Sequence, residues 1–331
     1  MSLSDQSQLW SNISQHLPIR GSKTISIKQH GTSYYGLTAR VAVQLPSGGL
    51  VDYFLKVIQG ELALAACEGE YEALKEIRSV CTNAPEPYSW GTYTDNSIEH
   101  AFLLTEFIKI QKQPADPQAL ASALATLHTQ STSPTGKFGF HISTVHTHNI
   151  QNINFWTSSW CELFSAHLSR ILSHAATHFQ WPLFDAVGQL TLSTVVPALL
   201  LPLQSNGRTI KPSLVHGDCW DGNTAMGEDG RAYFFDVDSF YAHSEFELGD
   251  WRAKRHKLSD EAYSEAYKKL VPVSEPVEDW DSRNLLYSLT WNICNALFVP
   301  GSTQKEPVFH DMITLCERIC PDEVRRLFGN A

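Results

Sequence analysis

The chain has 331 residues, of which 43% are hydrophobic and 11% aromatic, and its formal net charge is −10. This composition predicts an ordered globular protein with a substantial core and excludes an intrinsically disordered chain. The negative charge argues against binding to nucleic-acid phosphates, which requires clustered lysine and arginine; the one compact basic run, at 252–257, is interpreted as a solvated helix face.

The sequence shows no sign of export or of membrane insertion. Residues 1–15 are polar, and the longest apolar stretch, at 195–203, is too short to span a bilayer. Seven scattered cysteines are typical of reduced thiols in a cytoplasmic protein. Cys316 and Cys320 lie one helical turn apart near His310, but a zinc site would need more ligands at closer spacing. We therefore expect a cytoplasmic protein without a membrane or nucleic-acid partner, and its oligomeric state stays open.

The first third of the chain is predicted to be rich in β-structure. Hydrophobic residues recur every four positions around Ile13, which predicts an N-terminal amphipathic helix. The period then changes to two, with a turn sequence at 46–49 that is typical of a hairpin. Strands are predicted at residues 24–27, 41–45, 50–58 and 102–107, with a helix at 61–79 and a loop at 84–87.

The rest of the chain is predicted to be mainly helical. Helices are expected at residues 119–128, 155–176, 187–203 and beyond 258, with interruptions at 272–276 and 300. This division predicts an α+β, two-lobed fold with a small antiparallel β N-lobe, residues 1–105, and a larger helical C-lobe, residues 106–331. A cleft is expected between them, near Glu106.

One motif carries most of the chemical information. In the run 214–223, Asp218 is followed five residues later by Asn223, and Asp236 comes thirteen residues after that, behind an apolar strand. Phosphoryl transfer needs a base for the attacking hydroxyl and hard oxygen ligands for magnesium. We assign Asp218 as the catalytic base and Asn223 and Asp236 as metal ligands, with His216 bracing the loop. Asp and Asn are common in turns, so it is the complete combination that is specific.

The N-terminal strands supply a matching Lys–Glu pair. Lys56 ends an apolar strand, and Glu70 lies on the following helix, where it can pair with Lys56 near the nucleotide phosphates. Glu68 and Glu72 compete for this role, but Glu70 is preferred because Leu74 would share its helix face.

The loop expected to cover the phosphates has only a weak signature. Residues 31–36 contain two glycines but no G-x-G-x-x-G, although backbone amides from Ser33 onward could still contact phosphate. The chain contains no G-x-x-x-x-G-K-[ST], which argues against a P-loop NTPase.

These motifs together closely resemble the fructosamine kinases, also called ketosamine 3-kinases or protein-ribulosamine 3-kinases. The resemblance covers nearly the whole chain and rests on the segments 54–57, 68–74, 138–140, 154–160, 215–223, 235–248 and 283–287. The Tyr-x-His-x-Glu segment, Tyr241 to Glu245, separates this family from the aminoglycoside and choline kinases.

The resemblance implies a protein-kinase-like fold, similar to that of aminoglycoside phosphotransferases, with ATP and Mg²⁺ as cofactors. It also implies phosphorylation of the 3-hydroxyl of a ketosamine, free or on a glycated protein, after which the product decomposes and frees the amine. Glu106 and Phe107 would form the adenine hinge. Trp220, Tyr241, His243 and Glu245 would brace the site or contact substrate.

The chain departs from the family pattern at several positions. Cys219 stands where leucine is usual, Asp236-Val237-Asp238 replaces the commoner Asp-Pro-Ala, and residues 247–251 differ from the usual Asp-Leu-Ala pattern. These departures leave open a kinase acting on another small hydroxylated amine or sugar, such as an aminoglycoside or choline. A catalytically silent binding module is a further alternative, although it would be expected to lack part of the Lys–Glu–Asp–Asn–Asp set. The sequence does not distinguish ribulosamine from fructosamine as the substrate, and it does not define a role for Asp238.

Overall fold

A five-stranded antiparallel sheet forms the first part of the molecule in the computed structural model, which describes residues 13–31, 36–95 and 97–329. The strands are β1 (Lys23–Gln29), β2 (Gly36–Gln44), β3 (Leu50–Gln59), β4 (Pro87–Asp95) and β5 (Ile98–Glu106). Their order in the sheet is β1-β2-β3-β5-β4. The predicted turn at 46–49 closes the β2–β3 hairpin, where Leu45 N–H donates to the carbonyl of Gly49 over 2.8 Å.

Strand β4 is absent from the sequence prediction. It begins at Pro87, at the end of the segment that the local sequence predicts as a loop. Proline has no amide hydrogen to give to a neighbouring strand, so it is tolerated mainly at sheet edges. Because β4 is an edge strand, a proline at its start costs the sheet nothing.

Helix α1 (Ala63–Val80) covers one face of the sheet. Its buried side chains include Cys67, Ala73, Leu74 and Ile77, which recur at helical spacing and pack into the main core. The helix also contacts the second part of the molecule, because the Tyr241 hydroxyl donates to Oε2 of Glu76 over 2.9 Å. The helix that carries Glu70 is therefore held from both sides.

The second part of the molecule is mainly helical, which confirms the α+β fold class. Its helices are α2 (Pro117–Gln130), α3 (Trp160–Phe179), α4 (Pro182–Leu190), α5 (Val196–Leu200), α6 (Glu261–Lys268), α7 (Trp280–Phe298), α8 (Lys305–Ile319) and α9 (Pro321–Gly329). Three short antiparallel pairs accompany them: β6 (Val145–His146) with β7 (Asn149–Ile150), β8 (Ser213–Leu214) with β11 (Tyr241–Ala242), and β9 (Thr224–Met226) with β10 (Ala232–Phe234).

Capping residues set where two of these helices begin. The Asp116 side chain accepts the backbone N–H groups of residues 118 and 119 at 3.0 Å, so α2 begins at Pro117. Ser159 caps α3 in the same way, accepting from residue 162 at 3.2 Å. Helix α3 therefore begins five residues later than the predicted 155, because periodicity does not mark a cap. At the N-terminus, residue 9 of the predicted helix lies outside the described residues, and Ser14–His16 form a short 3₁₀ turn.

The helix predicted at 187–203 is a longer and interrupted helical run. Between α4 and α5 the segment Thr191–Val195 is a π-helix. It ends two residues before Pro197, which has no amide hydrogen to continue an α-helical pattern. By length and composition alone the run Pro182–Gln204 is long enough to cross a membrane, and 44% of its most apolar window is buried in the molecule. It packs against α3 and α8.

All seven cysteines are free thiols and all are buried. Burial raises the pKa of Cys67 to about 12 and that of Cys316 to about 11. Cys316 and Cys320 lie close to each other at the end of α8, and no zinc-type cluster forms around them among the residues that the structure describes.

Candidate active site

Lys56 sits at the centre of a charged cluster between the sheet and the helical part. Its Nζ lies 2.7 Å from Oε2 of Glu70 on α1 and also donates to the carboxylate of Asp236. Burial opposes the charged ammonium, but the two carboxylates outweigh it and hold the pKa of Lys56 well above its usual value. The structure thus brings together Lys56, Glu70 and Asp236. Glu72, one of the competitors, instead pairs with Lys75 at 2.9 Å on the surface.

The loop that carries Asp218 is braced by His216. The Nδ1 atom of His216 accepts the backbone N–H of Asp218 at 3.1 Å, and its Nε2 lies 2.9 Å from the carbonyl of Phe235. Nε2 must therefore carry the hydrogen. Burial lowers the pKa of His216, which favours this neutral ring. A ring with both nitrogens occupied cannot shuttle protons, so the contacts support the bracing role.

A buried carboxylate holds the same loop from the opposite side. Glu247 accepts the backbone N–H of His216 at 2.5 Å and that of Gly217 at 3.1 Å, and it lies 3.3 Å from Nε2 of His128. Burial alone would raise the pKa of Glu247, but His128 and these donors hold it below its usual value. The sequence flagged residues 247–251 only as a departure from the family, and nothing in the pattern pointed to this anchoring contact.

Asn223 and Asp236 present side-chain oxygens to the same space. Asn223 Nδ2 donates to the carbonyl and to Oδ2 of Asp218, at 3.0 and 2.8 Å, and no residue in the described part of the chain donates to its Oδ1. Asp236 has a left-handed backbone, with φ of 53°, and its side chain is 49% exposed. A free amide oxygen beside an accessible carboxylate is a donor set that suits magnesium.

The backbone fixes how these two residues face each other. Phe235 N–H donates to the carbonyl of Asn223, and Asp238 N–H donates to that of His216, each over 2.9 Å. Gly217 allows this close approach, since its φ is 93° and a Cβ there would lie 2.6 Å from the carbonyl oxygen of Asp238.

A cavity of about 580 Å³ opens beside these groups. Lys56, Glu70, Asp218, Asn223 and Asp236 all line it. The other walls are formed by the connection from β3 to α1, by the β6–β7 hairpin, by α7 and by residues that follow the loop of Asp218. Their lining side chains include Ile58, Glu61, Leu62, His146, His148, Trp220, Asp238, Asp250, Arg255, His256, Trp291 and Asn295.

Two acidic residues in this wall were not assigned a site role by the sequence. Asp238 Oδ2 lies 2.9 Å from Nδ1 of His146, and that nitrogen lies 3.8 Å from Oδ1 of Asp218. Burial opposes a charged ring, but Asp218 and Asp238 outweigh it and raise the pKa of His146 to about 9. Asp250 is 2% exposed, and its Oδ2 has no hydrogen-bond partner among the described residues. Burial raises the pKa of Asp250 well above its usual value, and the nearby charge of Asp218 adds to the effect.

Trp220 lines the cavity, as a substrate-contacting role would require. Its ring lies 5.2 Å from that of His256 and folds over Gly222, where a Cβ would come within 2.1 Å of the indole. The spacing of Trp-x-Gly in the motif is therefore a packing requirement.

Tyr241, His243 and Glu245 do not line the cavity. Tyr241 contacts α1 through Glu76. His243 lies between the hydroxyls of Tyr287 and Ser274, at 3.0 and 2.9 Å. Glu245 forms a two-point ion pair with the fully buried Arg283, at 2.8 and 3.1 Å. Their contacts are those of bracing residues.

Glu106 and Phe107 lie where β5 ends, away from the cavity. Oε2 of Glu106 accepts the backbone N–H of Glu86 at 3.2 Å, and the Phe107 ring lies against His30 and Arg40. Ser33, in the loop expected to cover the phosphates, lies outside the described residues, so its role stays a prediction.

His146 is a further side chain at this site that sequence reasoning missed. It lies on a two-residue strand 72 positions before Asp218, a separation that leaves no spacing signal. The only related signal in the sequence was Asp238, a departure from the family motif whose role the sequence left open.

Known proteins resemble this chain over most of its length. The family model described as "Fructosamine kinase" matches residues 9–308. A protein-ribulosamine 3-kinase, chloroplastic, from rice (Oryza sativa subsp. indica) is 29% identical over 238 residues, which are 71% of this chain and 65% of the rice protein. The chain therefore matches just under two thirds of the length of that relative.

Solved structures share the fold at low sequence identity. A Thermobifida fusca protein assigned as a fructosamine-3-kinase superposes with a TM-score of 0.71 and 18% identity, covering 93% of this chain and 99% of that one. An aminoglycoside phosphotransferase in complex with ADP and hygromycin B superposes with a TM-score of 0.58 and 12% identity, covering 95% and 98% of the two chains. These similarities confirm the protein-kinase-like fold.

Proposed function

Because this chain belongs to the fructosamine kinase family, we propose that it transfers the γ-phosphoryl group of ATP to the 3-hydroxyl of a ketosamine. The observation that carries the proposal is the convergence of Lys56, Glu70, Asp218, Asn223 and Asp236 on one cavity. A kinase needs a cation for the phosphates, a base for the hydroxyl and oxygen ligands for the metal, and this cavity offers all three.

Each of these residues has a distinct role in the proposal. Lys56, fixed by Glu70, contacts the nucleotide phosphates, and Asp218 accepts the proton of the attacking hydroxyl as the oxygen–phosphorus bond forms and ADP leaves. Asn223 and Asp236 would hold Mg²⁺, which when bound neutralises charge on the phosphates. Glu106 and Phe107 stay the proposed adenine hinge, and Ser33 a proposed phosphate contact. The boundary between the lobes, between residues 105 and 106, is also part of the proposal.

The acceptor is proposed to be a ribulosamine or fructosamine, free or attached to a protein lysine. The nitrogen of a ketosamine can be cationic, and Asp250 adds a buried carboxylate with an unpartnered oxygen to the described part of the cavity wall. The phosphorylated product would decompose and release the amine, so that the reaction would deglycate its substrate in the cytoplasm. We propose no nucleic-acid or membrane partner for this protein.

A substrate panel read by ADP release tests the acceptor class. With Mg²⁺ present, ADP release is expected with ribulosamine- and fructosamine-bearing lysine. Release with choline or an aminoglycoside, but with neither ketosamine, would favour the alternative of a kinase for another hydroxylated amine or sugar. No release with any acceptor, while ATP still binds, would favour a silent binding module.

Asp218→Asn tests the assigned base. Turnover is expected to fall about a thousand-fold, because the neutral amide cannot accept the proton, while ATP binding measured by calorimetry persists. Asp281→Asn is the matched control, since Asp281 pairs with Arg252 on the surface and its side chain is 64% exposed. Unchanged turnover in Asp218→Asn would exclude Asp218 as the base.

A further inference from the structure

A short hairpin brings one histidine to the side of the catalytic base. His146 lies on β6, paired with Asn149 on β7, and it lines the cavity together with Asp218. Its Nδ1 donates to Oδ2 of Asp238 over 2.9 Å and lies 3.8 Å from Oδ1 of Asp218. The imidazole therefore lies between the base and a second carboxylate.

Asp238 fixes this hairpin through its backbone as well as its side chain. The carbonyl of Asp238 accepts from Thr144 Oγ1 at 3.3 Å and from Gln151 Nε2 at 3.2 Å. Gln151 Nε2 also donates to Thr144 Oγ1 at 2.8 Å, which ties the two ends of the hairpin together. Because Asp238 is only 8% exposed, the ring of His146 is held in one orientation by a rigid partner.

The second ring nitrogen is left for something outside the chain. No residue in the described ranges hydrogen-bonds to Nε2 of His146, yet the side chain is 11% exposed and lines the cavity. Buried polar atoms are normally hydrogen-bonded, as both ring nitrogens of His216 and His243 are here. The buried His167 also has an unpartnered nitrogen among the described residues, but it does not line the cavity. An oriented ring with one free polar atom facing a cavity is typical of a ligand contact.

We propose that His146 binds the acceptor, and that its Nε2 hydrogen-bonds the hydroxyl next to the one that Asp218 deprotonates. This inference rests on the proposed function and names the feature of the acceptor that is recognised, a pair of neighbouring hydroxyls on the sugar. Because Asp218 and His146 lie side by side, Asp218 contacts the 3-hydroxyl and His146 contacts the 4-hydroxyl next to it. Asp238 is a positioning residue, which acts by orienting the ring.

The test compares a ketosamine with its 4-deoxy analogue. In the wild-type protein kcat/KM for the complete acceptor should exceed that for the deoxy acceptor about ten- to a hundred-fold, because a site built to bind a hydroxyl rejects its absence. In His146→Ala the ratio of the two kcat/KM values should fall to about three or less, with KM for ATP unchanged. An effect on Asp218 that lowers kcat/KM equally for both acceptors cancels in this ratio.

Variants at Asp238 separate positioning from general damage. Asp238→Ala should lower the ratio, whereas Asp238→Asn should retain most of it because the amide oxygen can still accept from Nδ1. Combining His146→Ala with Asp238→Ala should lower the ratio no further than His146→Ala does alone. His141→Ala is the matched control, because His141 is close in sequence but its side chain is 42% exposed and it does not line the cavity.

The outcomes distinguish this inference from the proposed function. Ketosamine turnover with an unchanged ratio in His146→Ala overturns the inference alone. A wild-type protein that phosphorylates no ketosamine overturns both. Should His146→Ala fail to fold, His146→Phe carries the same comparison, since it fills the space without a ring nitrogen.

Discussion

Three buried histidines in and around the site, His146, His216 and His243, fall into two groups by what their ring nitrogens contact. His146 lies against two carboxylates, which favour its charged form. His216 contacts backbone N–H and carbonyl groups and His243 contacts two hydroxyls. Burial lowers the pKa of both and keeps them neutral. A histidine pattern in the sequence cannot separate these groups, because the partners are brought in by distant segments.

The neutral His243 gives the fold a dependence on pH. Burial lowers its pKa to about 4, whereas an unfolded histidine titrates near 6.5. The unfolded chain therefore takes up the proton first, and the free energy of unfolding should fall as the pH drops from about 6.5 to about 4, by about 3 kcal/mol for this group. Above pH 6.5 its contribution is fully present.

Urea unfolding at pH 7 and pH 5 measures this loss. His243→Gln should be less stable than wild type at pH 7 but should lose less stability between the two pH values. His141→Gln, which changes a surface histidine, should follow the wild type. An equal loss in all three proteins would show that His243 is not responsible.

At the scale of elements, the loop that carries Asp218 and the loop after Asp236 are in direct backbone contact. Gly217 makes this contact possible, with φ of 93° and Asp238 within 2.6 Å of the position of a Cβ. Gly217→Ala should therefore separate the two loops, destabilise the protein by about 2 kcal/mol or more, and abolish most of the turnover.

Gly136→Ala offers a matched comparison. Gly136 also has a left-handed φ, of 68°, but nothing lies within 4 Å of its Cβ position. It should show the cost of backbone strain alone, about 1 kcal/mol, and keep full activity. Thermal melts and ADP release on both variants check the difference, and equal behaviour would mean that the contact with Asp238 is unimportant.

The sequence predicted those parts of the site that are carried by spacing within one element or motif. Asp218 and Asn223 share one loop, and Lys56 and Glu70 lie on consecutive elements, so chain order was enough to bring them together. Residue His146 was not predictable in this way, since its contact with Asp238 depends on a tertiary approach between distant segments. Strand β4 was missed because a proline, read locally, indicates a loop, and only the sheet order shows that it lies at an edge.

At the scale of the whole molecule, the charged cluster joins the sheet to the helical part. Lys56 on β3 contacts Glu70 on α1 and Asp236 in the second part. Nucleotide and metal binding at this cluster should stabilise the fold as a unit, since a ligand that binds only the folded state adds about 2.7 kcal/mol at a hundred times its Kd. We expect ATP with Mg²⁺ to raise the Tm by several degrees.

Chelation and substitution separate the two ligands in this measurement. EDTA should remove most of the rise in Tm, and Asp236→Asn should weaken it even at high Mg²⁺, because a carboxylate ligand is lost. Asp281→Asn should leave the rise in Tm unchanged. A rise of the same size with ATP and EDTA would show that Asp236 and Asn223 do not hold the metal.

The burial of every native thiol has a practical consequence for spectroscopy. With all seven cysteines inside the protein and their ionisation suppressed by burial, maleimide reagents should find little to modify in the folded wild type. A cysteine introduced at an exposed position of the sheet and another on the surface of α8 would then be the reactive pair. Two dyes can thus be attached to these introduced cysteines while the native thiols stay unlabelled. Fluorescence energy transfer between the dyes would then follow the distance between the sheet and the helical part during nucleotide exchange.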